Sequence, residues 1–258
     1  MERLDSIKNP MIQRLRALKN AEGREAERLF LIEGEKMMRE AAAVLAPAAA
    51  LFEEGRDFGD LPEALGSLGA RVLTVPRRVL EAVCDTKTPQ GACAAFAPPK
   101  PLDLENPPRR IVALDGVQDP GNLGTIWRTA DAAGFEALLT GPGCADWLSP
   151  KVQRAAMGSG FRVPLGQTRD LAEALSMLAS RGYAVVATSL DGEPFYQRAP
   201  LPEKFVLVIG SEAHGISPQV MARATVALKL PMRGGAQSLN ASVAAGIIMY
   251  DLCRDLPF

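Results

Sequence analysis

Three stretches of this chain place polar side chains directly after apolar runs. Leu114-Asp115-Gly116-Val117-Gln118-Asp119-Pro120-Gly121-Asn122-Leu123-Gly124-Thr125-Ile126-Trp127-Arg128 runs from a strand-like segment through a glycine turn into a helix. Val206-Leu207-Val208-Ile209-Gly210-Ser211-Glu212-Ala213-His214-Gly215-Ile216-Ser217 repeats that character, as does Leu230-Pro231-Met232-Arg233-Gly234-Gly235-Ala236-Gln237-Ser238-Leu239-Asn240. In open α/β sheets, ligands bind outside the carboxyl ends of the strands. Three such turns after three strands are therefore expected to build one site from Asn122, Arg128, Glu212, Ser238 and Asn240. Two amides, a guanidinium, a carboxylate and a hydroxyl suit positioning and electrostatic stabilisation rather than covalent catalysis. Taken singly, each has a plainer reading. Asn122 would cap the helix that carries Arg128, and Ser238 or Asn240 would cap the last helix. Glu212 would sit ahead of a helix at Pro218, and Arg128 would be an exposed helix arginine.

Several chemistries are excluded by what is missing. No G-x-G-x-x-G follows a strand, and no phosphate-binding G-x-x-x-x-G-K-[ST], G-x-S-x-G elbow or H-E-x-x-H occurs. Cys84, Cys93, Cys144 and Cys253 are scattered without C-x-x-C spacing, and His214 is the sole histidine. No zinc set can be assembled from them, so no metal is expected. Isolated thiols fit a reducing, cytoplasmic setting. The longest apolar stretch, Ala41 to Phe52, contains Pro47 and is too short to span a bilayer. The charged start of the chain does not read as a signal peptide.

The 258 residues, 47% of them hydrophobic, allow two modest domains with packed cores. Prolines at 98, 99, 101, 107 and 108 preclude a helix or inner strand there. The expected division is a first domain over 1–97, an extended linker over 98–108 and a second domain over 109–258. In the first, helical spacing covers Pro10 to Asn20, Glu35 to Leu45 and Leu61 to Leu68, with strands at Arg28 to Ile32, Arg71 to Val75 and Gly91 to Phe96. In the second, strands at Ile111, Ala137, Ala184, Phe205 and Val226 alternate with helices at Asn122, Ser149, Leu171, Pro218 and Leu239. Such alternation predicts an α/β fold with a mainly parallel sheet covered on both faces.

The three segments, in this order, resemble the three motifs of the SpoU (TrmH-like) RNA ribose 2'-O-methyltransferases, a knotted class that uses S-adenosylmethionine. The resemblance runs from about Arg109 to the end. Phe30-Leu31-Ile32-Glu33-Gly34-Glu35-Lys36 is similar to a signature of the small substrate-binding domain that precedes many such catalytic domains. One departure is Ala213, where relatives often carry glycine after the glutamate. The resemblance implies a C-terminal trefoil knot of the SPOUT type, a homodimer with the cofactor site at its interface, and S-adenosylmethionine as cofactor. It implies cofactor contacts at Gly210, Leu230, Leu239, Thr188 and Met232. It casts Arg128, with Asn122, Glu212, Ser238 and Asn240, as the catalytic set. A guanidinium with a pKa above ~12 is a poor base, so Arg128 reads better as a bidentate grip on phosphate that also lowers the pKa of the hydroxyl.

The net charge of −1 gives no global sign of nucleic-acid binding, so RNA contact must be local. Arg14, Arg16 and Lys19 lie in a basic N-terminal segment. Lys151 and Arg154, three apart, share a helix face within Ser149 to Ser159, which is also similar to a family segment. These five are the expected RNA contacts. Ribosomal RNA is favoured over transfer RNA because of the extra N-terminal domain. A non-catalytic RNA-binding relative and a small-molecule α/β enzyme are the rivals. The intact polar set argues against the first, and the basic N-terminal segment is unexplained by the second.

Overall fold

The structure, a computed structural model, describes residues 2–254, the side chain of Leu190 aside. It divides into two compact units, the first comprising the described residues up to Pro99 with Asp146–Phe161, the second Lys100–Ala145 with the rest.

In the first unit, β1 (Glu2–Arg3), α1 (Pro10–Ala17), α2 (Ala21–Glu27), β2 (Phe30–Glu33), α3 (Glu35–Ala42), β3 (Pro47–Glu53), α4 (Leu61–Ser67), β4 (Arg71–Val75), α5 (Arg77–Val83) and β5 (Ala92–Phe96) follow in order. The sheet runs β1-β4-β3-β5-β2. Its central strand β3 is parallel to β4 and antiparallel to β5. Alternate side chains feed two cores. Leu31, Leu51 and Leu73 meet Ile12, Leu15 and Leu80 on one face, and Phe30, Phe52 and Phe96 meet Met38 and Leu61 on the other. The Asp146–Phe161 segment belongs to this unit, although sequence reading placed it within 109–258. The reason is side-chain commitment. Arg24 is 6% exposed, donates to the carbonyls of Leu18 and Lys19 at 2.7 and 2.8 Å, and pairs with Asp146. Leu148 and Phe161 pack on the second core.

In the second unit, β6 (Arg110–Asp115), α6 (Pro120–Ala133) and β7 (Ala137–Thr140) precede that segment, which carries α7 (Pro150–Ala156). Then come β8 (Leu165–Gln167), α8 (Leu171–Ser180), β9 (Ala184–Pro194), β10 (Phe205–Gly210), α9 (Pro218–Met221), β11 (Val226–Lys229) and α10 (Ala241–Leu252). The six-stranded sheet runs β11-β9-β10-β6-β7-β8, with every pairing parallel. One register row crosses it, joining Ala227, Ala187, Val208, Ala113, Leu139 and Gly166. Strands buried on both faces read as continuous apolar runs, as Ile111-Val112-Ala113-Leu114 does. Residues 100–108 form neither helix nor strand, yet they are not a free linker. Leu102 is buried and donates its N–H to Leu165 at 3.2 Å, and the Tyr183 hydroxyl donates to the carbonyls of Pro107 and Pro108.

Candidate active site

The parallel register brings the polar turns to one edge. Asp115 and Gly210, the last residues of β6 and β10, are direct partners, and Thr188 leaves the regular part of β9 beside them. The turns after β6, β10 and β11 therefore open on the carboxyl edge of one parallel sheet, where β6 and β10 are neighbours and β9 lies between β10 and β11; ligands collect at such edges.

The first turn enters α6. Its cap is Asp119, whose carboxylate accepts the Asn122 N–H at 2.8 Å, with Pro120 in the first helical position. The expectation that Asn122 caps this helix is therefore corrected. Asp119 satisfies the free N–H, which leaves the Asn122 amide available for longer contacts. That amide is a hub. Its Nδ2 donates to Glu212 Oε1 of the second turn, and its Oδ1 accepts from Asn240 Nδ2 of the third at 3.0 Å. A carboxylate cannot donate, so only this amide orientation serves both partners.

Asn240 also caps α10, as one plain reading held. Its Oδ1 accepts from the Ser242 N–H at 2.9 Å, the Ser242 hydroxyl at 2.6 Å and the Val243 N–H at 3.3 Å. Ser238 is not the cap; it is exposed and makes no hydrogen bond to another described residue. Glu212 does not head a helix either. It sits in a small hairpin closed by Ser211 N–H to Gly215 O at 3.0 Å and the reverse bond at 2.9 Å.

Arg128 lies on the exposed side of α6, and its side chain bonds to no described residue. Six positions along an α-helix is about 9 Å of rise and about 120° of rotation, so Arg128 does not share a face with Asn122. The fold brings Asn122, Glu212 and Asn240 together within one chain. It leaves Arg128 and Ser238 outside their hydrogen-bonded cluster.

The residues expected to meet the cofactor divide by how the chain accounts for them. A Cβ on Gly210 would lie 2.2 Å from the Gly215 carbonyl carbon, so this glycine is already required by the crossing hairpin. Thr188 donates its hydroxyl to the Val208 carbonyl at 3.3 Å. The third turn differs. Gly234 and Gly235 have open space around them and no left-handed φ, so nothing in the chain requires glycine there. Residues 231–239 make no hydrogen bond to another described residue. Leu230 and Met232 are half-buried and Leu239 is exposed along this turn. A run of unpaired backbone donors and acceptors flanked by apolar side chains fits a ligand with both polar and apolar parts, as S-adenosylmethionine has. Among the described residues, no cluster could hold a metal ion.

The expected RNA contacts are placed in the first unit. Arg14 grips Glu27 with Nε at 3.0 and 3.1 Å from the two carboxylate oxygens and Nη2 at 2.5 Å from Oε2, and this pairing raises the guanidinium and lowers the carboxyl. Arg154 does not share a free face with Lys151. Its Nη2 meets Asp85 at 2.7 Å and its Nη1 stands 3.7 Å from Glu33. Glu33, a motif residue of the first unit, also accepts from the Asp85 N–H and the Thr86 hydroxyl at 2.9 and 2.6 Å. Arg16, Lys19 and Lys151 bond to no described residue through their side chains. Sequence reading overlooked Arg24 and Asp115. A buried arginine leaves no periodic trace, and the Asp115 contact joins residues 102 positions apart.

Comparison with known proteins agrees with this geometry. Residues 109–250 match the SpoU rRNA methylase family, and residues 9–94 match an MRM3-like substrate-binding domain. The 23S rRNA (guanosine(2553)-2'-O)-methyltransferase RlmP of Bacillus subtilis is 34% identical over 252 residues, covering 98% of this chain and 99% of its own. An AdoMet-bound rRNA methyltransferase from Sinorhizobium meliloti superposes with a TM-score of 0.90 at 28% identity, covering 100% and 99%. The SpoU methyltransferase AviRb from Streptomyces viridochromogenes, in complex with AdoMet, gives 0.86 at 26% identity over 96% and 98%. With a family match over more than half of its length and a relative 34% identical over nearly the whole of both chains, the chain belongs to the SpoU rRNA methylase family.

Proposed function

We propose that this protein methylates the 2'-hydroxyl of a ribose in ribosomal RNA, with S-adenosylmethionine as donor. The observation that carries this reading is the Asn122 amide, which links all three glycine turns at the carboxyl edge of one parallel sheet. The nearly full-length similarity to a 23S rRNA methyltransferase makes 23S rRNA the substrate we test first. Bound S-adenosylmethionine supplies a sulfonium methyl group open to attack by an oxygen. The chain's own task is then alignment of the ribose hydroxyl and exclusion of water. The open turn over 231–239, with Leu230, Met232 and Leu239, would hold the cofactor through backbone and apolar contact. Asn122, Glu212 and Asn240 would fix that turn against the other two. Arg128, always protonated, would grip the phosphate beside the reacting ribose and favour the hydroxyl's ionised form.

The finer organisation is part of the same proposal. The first unit, including Asp146–Phe161, would act as the RNA-binding part and the second as the catalytic part. A homodimer is supported by α10, on which Val243, Ile247 and Tyr250 form an exposed apolar stripe, with Tyr250 56% exposed. Exposed stripes of this kind mark association surfaces. A second copy would also bring an Arg128 toward a cluster from which its own chain separates it. The SPOUT trefoil knot is supported by the strand order, in which late β11 lies at one edge beside β9, and by α10 packing on α6. A cytoplasmic location follows from the ribosomal substrate. Arg16, Lys19 and Lys151 are the first RNA contacts we would assign; Arg14 and Arg154 would reach RNA only by exchanging their carboxylate partners.

The test is methyl transfer from labelled S-adenosylmethionine to undermodified 23S rRNA, followed by mapping of alkali-resistant ribose positions. Binding of cofactor and RNA without transfer would favour a non-catalytic RNA-binding protein of the same fold.

A further inference from the structure

We infer that Asp115 is a positioning residue for methyl transfer: its carboxylate holds the hairpin of the second turn, and through that hairpin sets Glu212 against Asn122. This rests on the proposed function and adds a residue outside the polar set discussed above.

The hairpin is stiff within itself. Two backbone bonds join Ser211 and Gly215, and the Ser211 hydroxyl accepts the His214 N–H at 3.2 Å. Gly210 leaves no room for a Cβ beneath the crossing strand. A unit of this kind moves as a body, so what matters is how its two ends are held. One end continues from β10, where Gly210 pairs with Asp115. The other end is the Ser217 N–H, which Asp115 Oδ2 accepts at 2.7 Å. One residue thus holds both feet of the hairpin, one by backbone register and one by its side chain. The first turn lies close as well, since a Cβ on Gly116 would stand 3.7 Å from the Ser211 Cβ.

Removing the carboxylate frees the second foot. The hairpin then pivots about β10, and the Glu212–Asn122 contact at its tip is made only part of the time. Misplacement by about 1 Å can cost as much as 100-fold in rate. A loss of about tenfold is expected here, since the backbone register remains. The Ser217 N–H needs only an acceptor, so asparagine at this position should recover much of the lost rate.

The experiment is a double-mutant cycle read by single-turnover methylation of undermodified 23S rRNA. Asp115→Ala should lower the rate about tenfold with little change in KM for RNA, and Asp115→Asn should recover at least half of the logarithmic loss. In a Glu212→Ala background, Asp115→Ala should change the rate less than threefold, because the hairpin then carries no acceptor to position against Asn122. Multiplying losses, or an Asp115→Asn rate no better than Asp115→Ala, would overturn the inference. A wild-type rate for Glu212→Ala alone would instead overturn the assignment of the site, and this inference with it. Should Asp115→Ala fail to fold, Asp115→Ser, whose hydroxyl is too short to reach Ser217, takes its place under the same criteria.

Discussion

Asn122→Asp exchanges one side-chain nitrogen for oxygen and leaves shape and volume unchanged. Its consequence follows from the two opposite roles of the amide. Oδ1 accepts from Asn240, which aspartate can still do. Nδ2 donates to Glu212, which aspartate cannot do. Two carboxylate oxygens would instead face each other at about 3 Å. Coulomb's law puts their repulsion at about 1.4 kcal/mol in a water-like dielectric and about 5.5 kcal/mol at an effective dielectric of 20. Glu212 is exposed, so the lower figure applies. Asn122→Ala removes both bonds but introduces no repulsion, and loss of one well-placed group of this kind costs on the order of 100-fold in rate. The conservative Asn122→Asp should therefore be slower than Asn122→Ala, by about tenfold for 1.4 kcal/mol. Stability should hardly change in Asn122→Ala, because the Asp119 cap acts on the backbone of residue 122, and should fall by about 1.4 kcal/mol at most in Asn122→Asp, from the repulsion alone. Single-turnover methylation alongside calorimetric melting separates the two effects. An Asn122→Asp rate equal to wild type, or above that of Asn122→Ala, would show that the amide does not donate to Glu212 in the working enzyme.

Other perturbations test separate parts of the molecule. Arg128→Ala should lower single-turnover rate on the order of 100-fold with cofactor affinity preserved in calorimetry, and Arg128→Lys should rescue only in part because an ammonium lacks the planar fork. Lys151→Glu should weaken RNA binding and lower the slope of log affinity against log salt by about one, whereas Arg154→Glu should chiefly lower the melting temperature by breaking the pairs with Asp85 and Glu33. Asp146→Ala leaves the buried Arg24 without its counter-ion and should cost about 2 kcal/mol in denaturant unfolding, below the full value for a buried pair because Asp146 is 37% exposed. Burial raises the Cys144 thiol above its ordinary range, so its thiolate fraction at pH 8 is small; alkylation there should be slower than for an unfolded control and should accelerate as pH rises.

Much of the second unit was legible because parallel strands and their helices carry period and punctuation. The strand at Ala137 and the helix at Leu171 begin where they are expected, and α6 ends where Gly134 takes φ +83°. The central strand β3 was not legible. Its Pro-Ala-Ala-Ala-Leu-Phe-Glu favours no strand locally, and it is one because β4 and β5 pair with it on both sides. The helices α2 and α5 and the short strand β8 were missed for the same reason, since each is stabilised by neighbours rather than by its own pattern.

The order and residue types of the three turns were enough to place one polar site and to carry the family resemblance that implies its chemistry, because apolar runs ending in Gly, Asn, Arg, Glu, Ser and Asn are local features. What local features cannot encode is which groups meet. Tertiary structure alone decided that Asp119 caps α6, freeing Asn122 to join Glu212 and Asn240. It turned Arg154 onto Asp85 and Glu33 rather than outward. It also gave Asp146–Phe161 to the first unit, through a buried arginine 122 residues earlier in the chain. The physical reason is common to all three. A polar group near a protein interior must find a partner, and the register of strands and the packing of helices, which depend on the whole chain, determine which partners lie within reach.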